Sequence, residues 1–170
     1  MKQIETDICI IGGGSGGLSL AAGAVQVGAR VVLFEGGQMG GDCLNSGCVP
    51  SKALLAAAKA AYLANGNAAM GITNNPPNID FAAVKAHVAN VIAQIEPHDS
   101  IARFEALGVT VIPEMAHFTG PRAVASATHQ VRAKYIVIAS GSQPMLPLIP
   151  GLDHTDFHSN ETTVSYTHLT

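Results

Sequence analysis

The stretch "ICIIGGGSGGLSLAAGAVQVGARVVLFE", residues 8–35, decides the fold. It opens inside an apolar, β-branched run, Ile4 to Ile11, that reads as a strand. Glycines follow at once. Leu18 to Val27 is Ala-rich and helical, with Gly28 as a C-terminal stop. Val31 to Glu35 reads as a second buried strand. Strand, tight glycine turn, helix and strand make a βαβ unit, so the fold class is α/β with a parallel sheet. Within the turn, Gly12, Gly14 and Gly17 give G-x-G-x-x-G in the context that makes the pattern informative, and Glu35 ends the next strand about 20 residues on. Glycines there let the backbone turn tightly and approach a pyrophosphate at the helix N-terminus, while Glu35 can accept hydrogen bonds from a ribose. This pattern by itself does not separate FAD from NAD.

Downstream, Ser51 to Leu63 reads as a helix, and "NGNAAMGITNNPPN", residues 65–78, as a loop. Asp80 is placed to cap a helix whose period runs through Val84, Val88, Val91 and Ile95. A kink or break is expected near Pro97, with a short helix continuing to Leu107. From Val109 the pattern changes. "VTVIP", "AHF", "RAVAS" and "HQVRA" read as a small antiparallel meander, "YIVIAS" (135–140) as one more fully buried strand, and "GSQPMLPLIPGLD" as an extended linker.

The bulk properties set limits. A chain of 170 residues, 48% hydrophobic and 12% charged, is globular and long enough for one sizeable core. A net charge of −3 without a basic run argues against a nucleic-acid footprint. No apolar run is long enough to span a bilayer, and Glu5 and Asp7 precede the first one, which makes a poor secretory signal. A cytoplasmic location is expected, where a durable structural disulfide is disfavoured.

That expectation bears on "GGDCLNSGCVPSK", Gly40 to Lys52. Three readings of Cys43 and Cys48 compete. A zinc site needs about four ligands. Cys9 reads as core within the first strand, and no histidine lies within thirty residues of the pair. A structural bridge closing so small a loop would stabilise little and suits the compartment badly. A redox dithiol remains. Cys48 opens a helix, where the dipole favours thiolate, and Lys52 stands one turn further on.

With these residues together, the sequence resembles the flavoprotein disulfide reductases, the pyridine nucleotide-disulfide oxidoreductase family. The resemblance rests on the glycine loop, on C-x4-C followed by V-P-S-K, and on "AKYIVIASGSQPMLPLIPG", and it covers about residues 4 to 155. It implies a Rossmann-like FAD-binding domain with a small antiparallel β-meander, and FAD as cofactor, with NAD or NADP as co-substrate of the full-length enzyme. It implies that Cys48 faces the flavin, that Cys43 is the interchange thiol, and that Lys52 lies near the reactive edge of the ring. Gly12, Gly14, Ser15, Gly16, Gly17, Glu35, Gly41 and Asp42 would contact the cofactor, as would Ala116 on the adenine side and the turn Ser140, Gly141, Ser142. The family most often has Thr at position 140; Ser keeps the hydroxyl.

The activity so implied is an FAD-dependent disulfide oxidoreductase. It is most like dihydrolipoamide dehydrogenase, acting on a lipoyl-type or other small disulfide as a homodimer, without nucleic acid or membrane. A mercuric-reductase-like enzyme is the alternative, and a non-catalytic flavin-binding fragment the rival from another class. Residues 1–153 are expected to form the N-terminal part of the FAD domain, and 154–170 a truncated linker or foreign tail. The nicotinamide and dimerisation domains are expected to be absent. No histidine precedes a proline, as the family's acid/base histidine does, and the ending "VSYTHLT" fits the family poorly. An interrupted or mis-extended product without turnover of its own is therefore expected.

Overall fold

The computed structural model describes residues 1–163. Strand β1 spans Lys2–Ile11, helix α1 Ser15–Gln26 and strand β2 Val31–Phe34. These form the βαβ unit that the glycine spacing dictates, with Ile8 to Ile11 paired in parallel with Val31 to Phe34. A one-turn helix, α2 (Gly41–Asn45), leads into α3 (Cys48–Ala64), and the two-residue strands β3 (Gly66–Asn67) and β4 (Ile72–Thr73) pair as a small hairpin in the expected loop. Helix α4 covers Phe81–Asp99. The Asp80 carboxylate caps it by accepting the Ala83 N–H at 3.0 Å.

Pro97 does not end this helix. It sits inside α4, and the chain breaks at Ser100, whose extended backbone separates α4 from α5 (Ile101–Ala106). The missing proline N–H removes one bond from the last turn, and the Ser100 hydroxyl then accepts the Arg103 N–H to start the next helix.

The remaining strands are β5 (Val109–Ile112), β6 (His117–Gly120), β7 (Ala123–Ala125) and β8 (His129–Ile138). The six-stranded sheet runs β5-β2-β1-β8-β7-β6. Two expectations need correction here. Val109–Ile112 belongs not to the meander but to the parallel part of the sheet, register-paired with β2 from Val31↔Val109 to Phe34↔Ile112. "HQVRA" and "YIVIAS" are also one strand rather than two. β8 pairs antiparallel with β7 through its first half, and lies parallel to β1 from Lys2↔His129 to Ile11↔Ile138. The antiparallel meander is thus β6-β7-β8. The second half of β8 is not fully buried either, with Tyr135 and Ile138 both exposed.

Every residue of β2 is buried, as in a sheet covered on both faces. Alternate side chains divide between two clusters. Ile10, Val31 and Leu33 pack with Leu18, Ala21 and Ala24 of α1 and Phe104 of α5, whereas Cys9, Val32 and Phe34 pack with Ile112, Val124, Val131 and Ala133. The C-terminal ends of β1, β2 and β8 converge at the glycine loop, the position where open α/β sheets bind ligands. A last short helix, α6 (Asn160–Thr163), returns to this end. The residues "VSYTHLT" lie outside those described. Among the described residues no helix is long and apolar enough to cross a membrane.

Candidate functional site

Close backbone packing explains the glycines of the first turn. Gly12 has φ +114°, and a Cβ there would stand 2.2 Å from the Ala139 carbonyl oxygen at the end of β8. A Cβ on Gly17 would stand 1.9 Å from the Gly12 carbonyl oxygen. Gly14 precedes α1 without a side-chain cap, so the first N–H groups of the helix face the cleft.

A second glycine cluster docks on the first. The Gly40 N–H donates to the Gly13 carbonyl at 2.8 Å, and Gly14 forms a single bridge with Gly40. Gly40 and Gly41 both have positive φ, which glycine adopts freely. From this junction α2 carries Cys43 outward. Asn45 ties the turn by donating from Nδ2 to the carbonyls of Gly41 (2.8 Å) and Met39 (3.1 Å). The Asp42 carboxylate accepts the Ser46 hydroxyl and Asn160 Nδ2, each at 2.8 Å, so α6 is fastened to the cysteine turn across 118 residues.

Both thiols are free. Cys43 is half-buried and Cys48, the first residue of α3, is exposed. The Cys43 thiol is held above its ordinary pKa, chiefly by its hydrogen bond with Cys48, then by burial and by charge on Cys48, while the Lys52 ammonium pulls the other way. Cys9 is a core residue, and burial pushes its thiol up to about 11.

Glu35 is gripped by backbone. Its Oε2 accepts the Gly13 N–H at 2.5 Å and its Oε1 the Gly37 N–H at 2.6 Å. Each oxygen keeps lone-pair capacity for another donor.

These parts border one cleft of about 750 Å³, a volume suited to a large cofactor. Gly12, Gly14, Ser15, Gly16, Glu35, Gly41, Asp42, Cys43, Cys48, Ser140, Gly141 and Ser142 line it. Three expected residues do not. Gly17 is buried beneath the loop, Lys52 projects from the exposed side of α3, and half-buried Ala116 packs against the second core cluster. Lining residues that the sequence did not single out are Gln38, Asn45, Ser46, Ala139, Gln143 and Glu161. Asn45 and Ser46 lie between the two cysteines, and that position was the available signal; Glu161 had none, because it arrives through the tertiary fold. Among the described residues no group of three or more His, Cys, Asp or Glu side chains is gathered as for a metal ion.

Such a cleft, with bare helix N–H groups, glycines that admit a close backbone approach and a fixed carboxylate, is the cradle of a dinucleotide, here with a dithiol at its other end. The chain belongs to the pyridine nucleotide-disulphide oxidoreductase family, whose sequence pattern it matches over residues 6–169. It is 33% identical to a mercuric reductase of Bacillus cereus over 153 residues, 90% of this chain and 24% of the relative. A mercuric reductase of Streptomyces lividans is 35% identical, with 99% of this chain and 37% of the relative covered. The chloroplastic dihydrolipoyl dehydrogenase 2 of Arabidopsis thaliana is also 35% identical, with 86% and 26% covered. In fold, the chain is similar to the Cu(II) complex of the HOCl-induced flavoprotein disulfide reductase RclA of Escherichia coli, with a TM-score of 0.78, 23% identity, and 96% of this chain and 34% of that one covered. The chain therefore spans between 24% and 37% of the length of these proteins.

Proposed function

We propose that residues 1–153 form the FAD-binding portion of a pyridine nucleotide-disulfide oxidoreductase, and that Asn160 and Glu161 return the following segment to its cysteine turn. One observation carries this reading: the Cys43–Cys48 pair opens into the same cleft as the glycine loop, and backbone contact joins the two turns. Bound FAD would supply two-electron exchange between a nicotinamide and a disulfide. The rest is the work of the chain's own residues. Gly12 to Gly17 let a pyrophosphate reach the N–H groups that open α1. Glu35 accepts ribose hydroxyls. Ser140 to Ser142 close the opposite wall.

Cys43 and Cys48 alternate between a disulfide and two thiols. Opening the disulfide breaks one S–S bond and takes up two electrons, with two protons to give two thiols or one proton to give a thiol and a thiolate. Cys43 is the thiol that exchanges with an outside substrate and Cys48 the one on the flavin side, with Lys52 supplying positive charge nearby. In the full-length enzyme NADH or NADPH is the partner of the flavin, and a homodimer is the working unit.

A small dithiol of the dihydrolipoyl kind is the substrate class. Divalent mercury is a second reading, favoured by the mercuric reductases of B. cereus and S. lividans among the relatives. The cofactor assignment is tested by titrating the purified chain with FAD and with NAD. FAD is expected to bind at one per chain and NAD not to compete; tight NAD binding without FAD binding would overturn it. Substrate class is tested on a full-length enzyme offered NADH with lipoamide or Hg²⁺, where Cys48→Ser should abolish turnover with the true substrate.

A further inference from the structure

A second cavity, of about 460 Å³, lies at the opposite end of β1 from the glycine loop. Gln3, Gly120, Pro121, Arg122, Gln130 and Arg132 are among its lining residues, and it shares none with the cofactor cleft. The meander builds it. Ala123 of β7 is register-paired with Arg132 of β8, and the Arg122 carbonyl accepts the Ala133 N–H at 3.1 Å, so the two arginines are held side by side. Pro121, with its fixed φ, shapes the turn that presents Arg122, just after a register shift between Phe118 and Gly120. Along β8, Val131 and Ala133 are buried in the core, which leaves Gln130 and Arg132 on the opposite face.

Charge in this cavity is unbalanced. The arginines of the chain are Arg30, Arg103, Arg122 and Arg132. Arg30 pairs with Asp7, and Arg103 donates to the His98 carbonyl and lies over the Phe104 ring. Among the described residues, neither the Arg122 nor the Arg132 guanidinium has an ion-pair or hydrogen-bond partner. Glu5 stands at the register position beside Arg132, but it does not line the cavity and forms no ion pair with it. Asp7, two residues on, is taken by Arg30 and Lys134. Gln3 Nε2 donates to Gln130 Oε1 at 2.6 Å, which leaves the Gln130 amide NH2 as a further donor.

Two guanidinium groups on one cavity repel each other, and each offers a fork of N–H donors that fits a carboxylate or a phosphate. One fork is enough to fill a carboxylate. A phosphate monoester carries three acceptor oxygens and about two negative charges at pH 7, which matches both arginines in donors and in charge. We propose that this cavity binds a small phosphate monoester, held between Arg122 and Arg132 with the Gln130 amide on a neighbouring oxygen. The volume suits a metabolite-sized ligand. The site is independent of the FAD reading.

The test is isothermal titration calorimetry of the full chain at low, matched ionic strength, with glycerol 3-phosphate, inorganic phosphate and succinate as probes. It is repeated on Arg122→Gln, Arg132→Gln and Arg132→Lys, with Lys59→Gln, an exposed lysine of α3, as the control for net charge. Glycerol 3-phosphate should bind at one per chain, and more tightly than succinate. Each Arg→Gln change should weaken it by about five- to tenfold, the scale of charge-assisted hydrogen bonds lost at an exposed position. Arg132→Lys keeps the charge without the fork and should fall between the wild type and Arg132→Gln. Lys59→Gln should stay within about twofold, because a distant exposed charge is screened. No saturable binding to the wild type overturns the inference. Unchanged affinity in both Arg→Gln variants overturns it too, since the phosphate would then sit elsewhere, as at the glycine loop. An equal loss in Lys59→Gln reduces the effect to net charge, and tighter binding of succinate removes the phosphate assignment; either contradicts the proposal. Should Arg132→Gln not fold, Arg122→Gln and Arg132→Lys decide.

Discussion

Gly41 and Gly14 meet backbone to backbone: a Cβ on Gly41 would stand 2.8 Å from the Gly14 Cα. Through this contact the turn that carries the cysteines is seated directly on the turn that receives the nucleotide. Gly41→Ala should therefore damage both. It adds a Cβ at φ +57° and drives it into the nucleotide loop, and overpacking of this kind costs about 1–3 kcal/mol. The melting temperature should fall by several degrees, and FAD affinity should fall with it.

Two other glycines provide a contrast. Gly17→Ala places a Cβ 1.9 Å from the Gly12 carbonyl oxygen, with no flexible side chain to give way. Gly23 lies on the exposed side of α1 with nothing within 4 Å of an added Cβ. Denaturant unfolding should show Gly17→Ala strongly destabilised. Gly23→Ala should be stabilised by about 0.5–1 kcal/mol through helix propensity alone.

Glu35→Gln tests the carboxylate. Both oxygens of Glu35 accept backbone N–H groups, so an amide must turn an NH2 toward one of those donors. Charge-assisted hydrogen bonds contribute about 1.5–3 kcal/mol, and FAD affinity measured by titration should drop by about ten- to a hundredfold.

Labelling should report the two thiols in opposite orders. In the cofactor-free chain Cys48 is the more exposed, and Cys43 is held above its ordinary pKa, so iodoacetamide should modify Cys48 first. Filling the cleft with FAD should shield Cys48 and leave Cys43 as the faster site. Peptide mapping by mass spectrometry reads both orders. Preferential Cys43 labelling without FAD would contradict the geometry of the pair.

The acid limb of stability should depend on Glu114. Hydrogen bonds from Ser126 and Thr128 lower its pKa from 4.5 to about 2. A carboxylate depressed in the folded state contributes stability that is present above the unfolded pKa and lost as pH falls through the folded one. For Glu114 the window runs from 4.5 down to about 2. Asp7, held down by Arg30 and Lys134, acts in the same direction. Thermal unfolding across this range should show a shallower acid loss for Glu114→Gln than for the wild type.

Local chemistry made much of this legible. The βαβ unit, the Asp80 cap and the cysteine turn each depend on residues close in sequence, and each formed where its composition placed it. What escaped was decided at long range. Val109–Ile112 is a short β-branched run that looks the same whether it joins a meander or the edge of a parallel sheet, and only its pairing with β2 chooses. Residues 129–138 form one unbroken strand paired with β1 throughout, and only its first half also pairs with β7, so the end of that second pairing left no turn residue to announce it. Pro97 fell in the last turn of a helix that was about to end anyway. Asn160 and Glu161 reach the site only because the chain returns to Asp42.

The most direct measurement is an anaerobic reductive titration of the FAD-loaded chain, with Cys43→Ser and Cys48→Ser alongside. A flavin accepts two electrons, and opening a Cys43–Cys48 disulfide accepts two more. The expected result is four electrons per wild-type chain and two per chain in either serine variant. Two electrons per chain in all three proteins would mean that the cysteine pair takes no part in the redox chemistry of the cleft, and would contradict the proposed function at its centre.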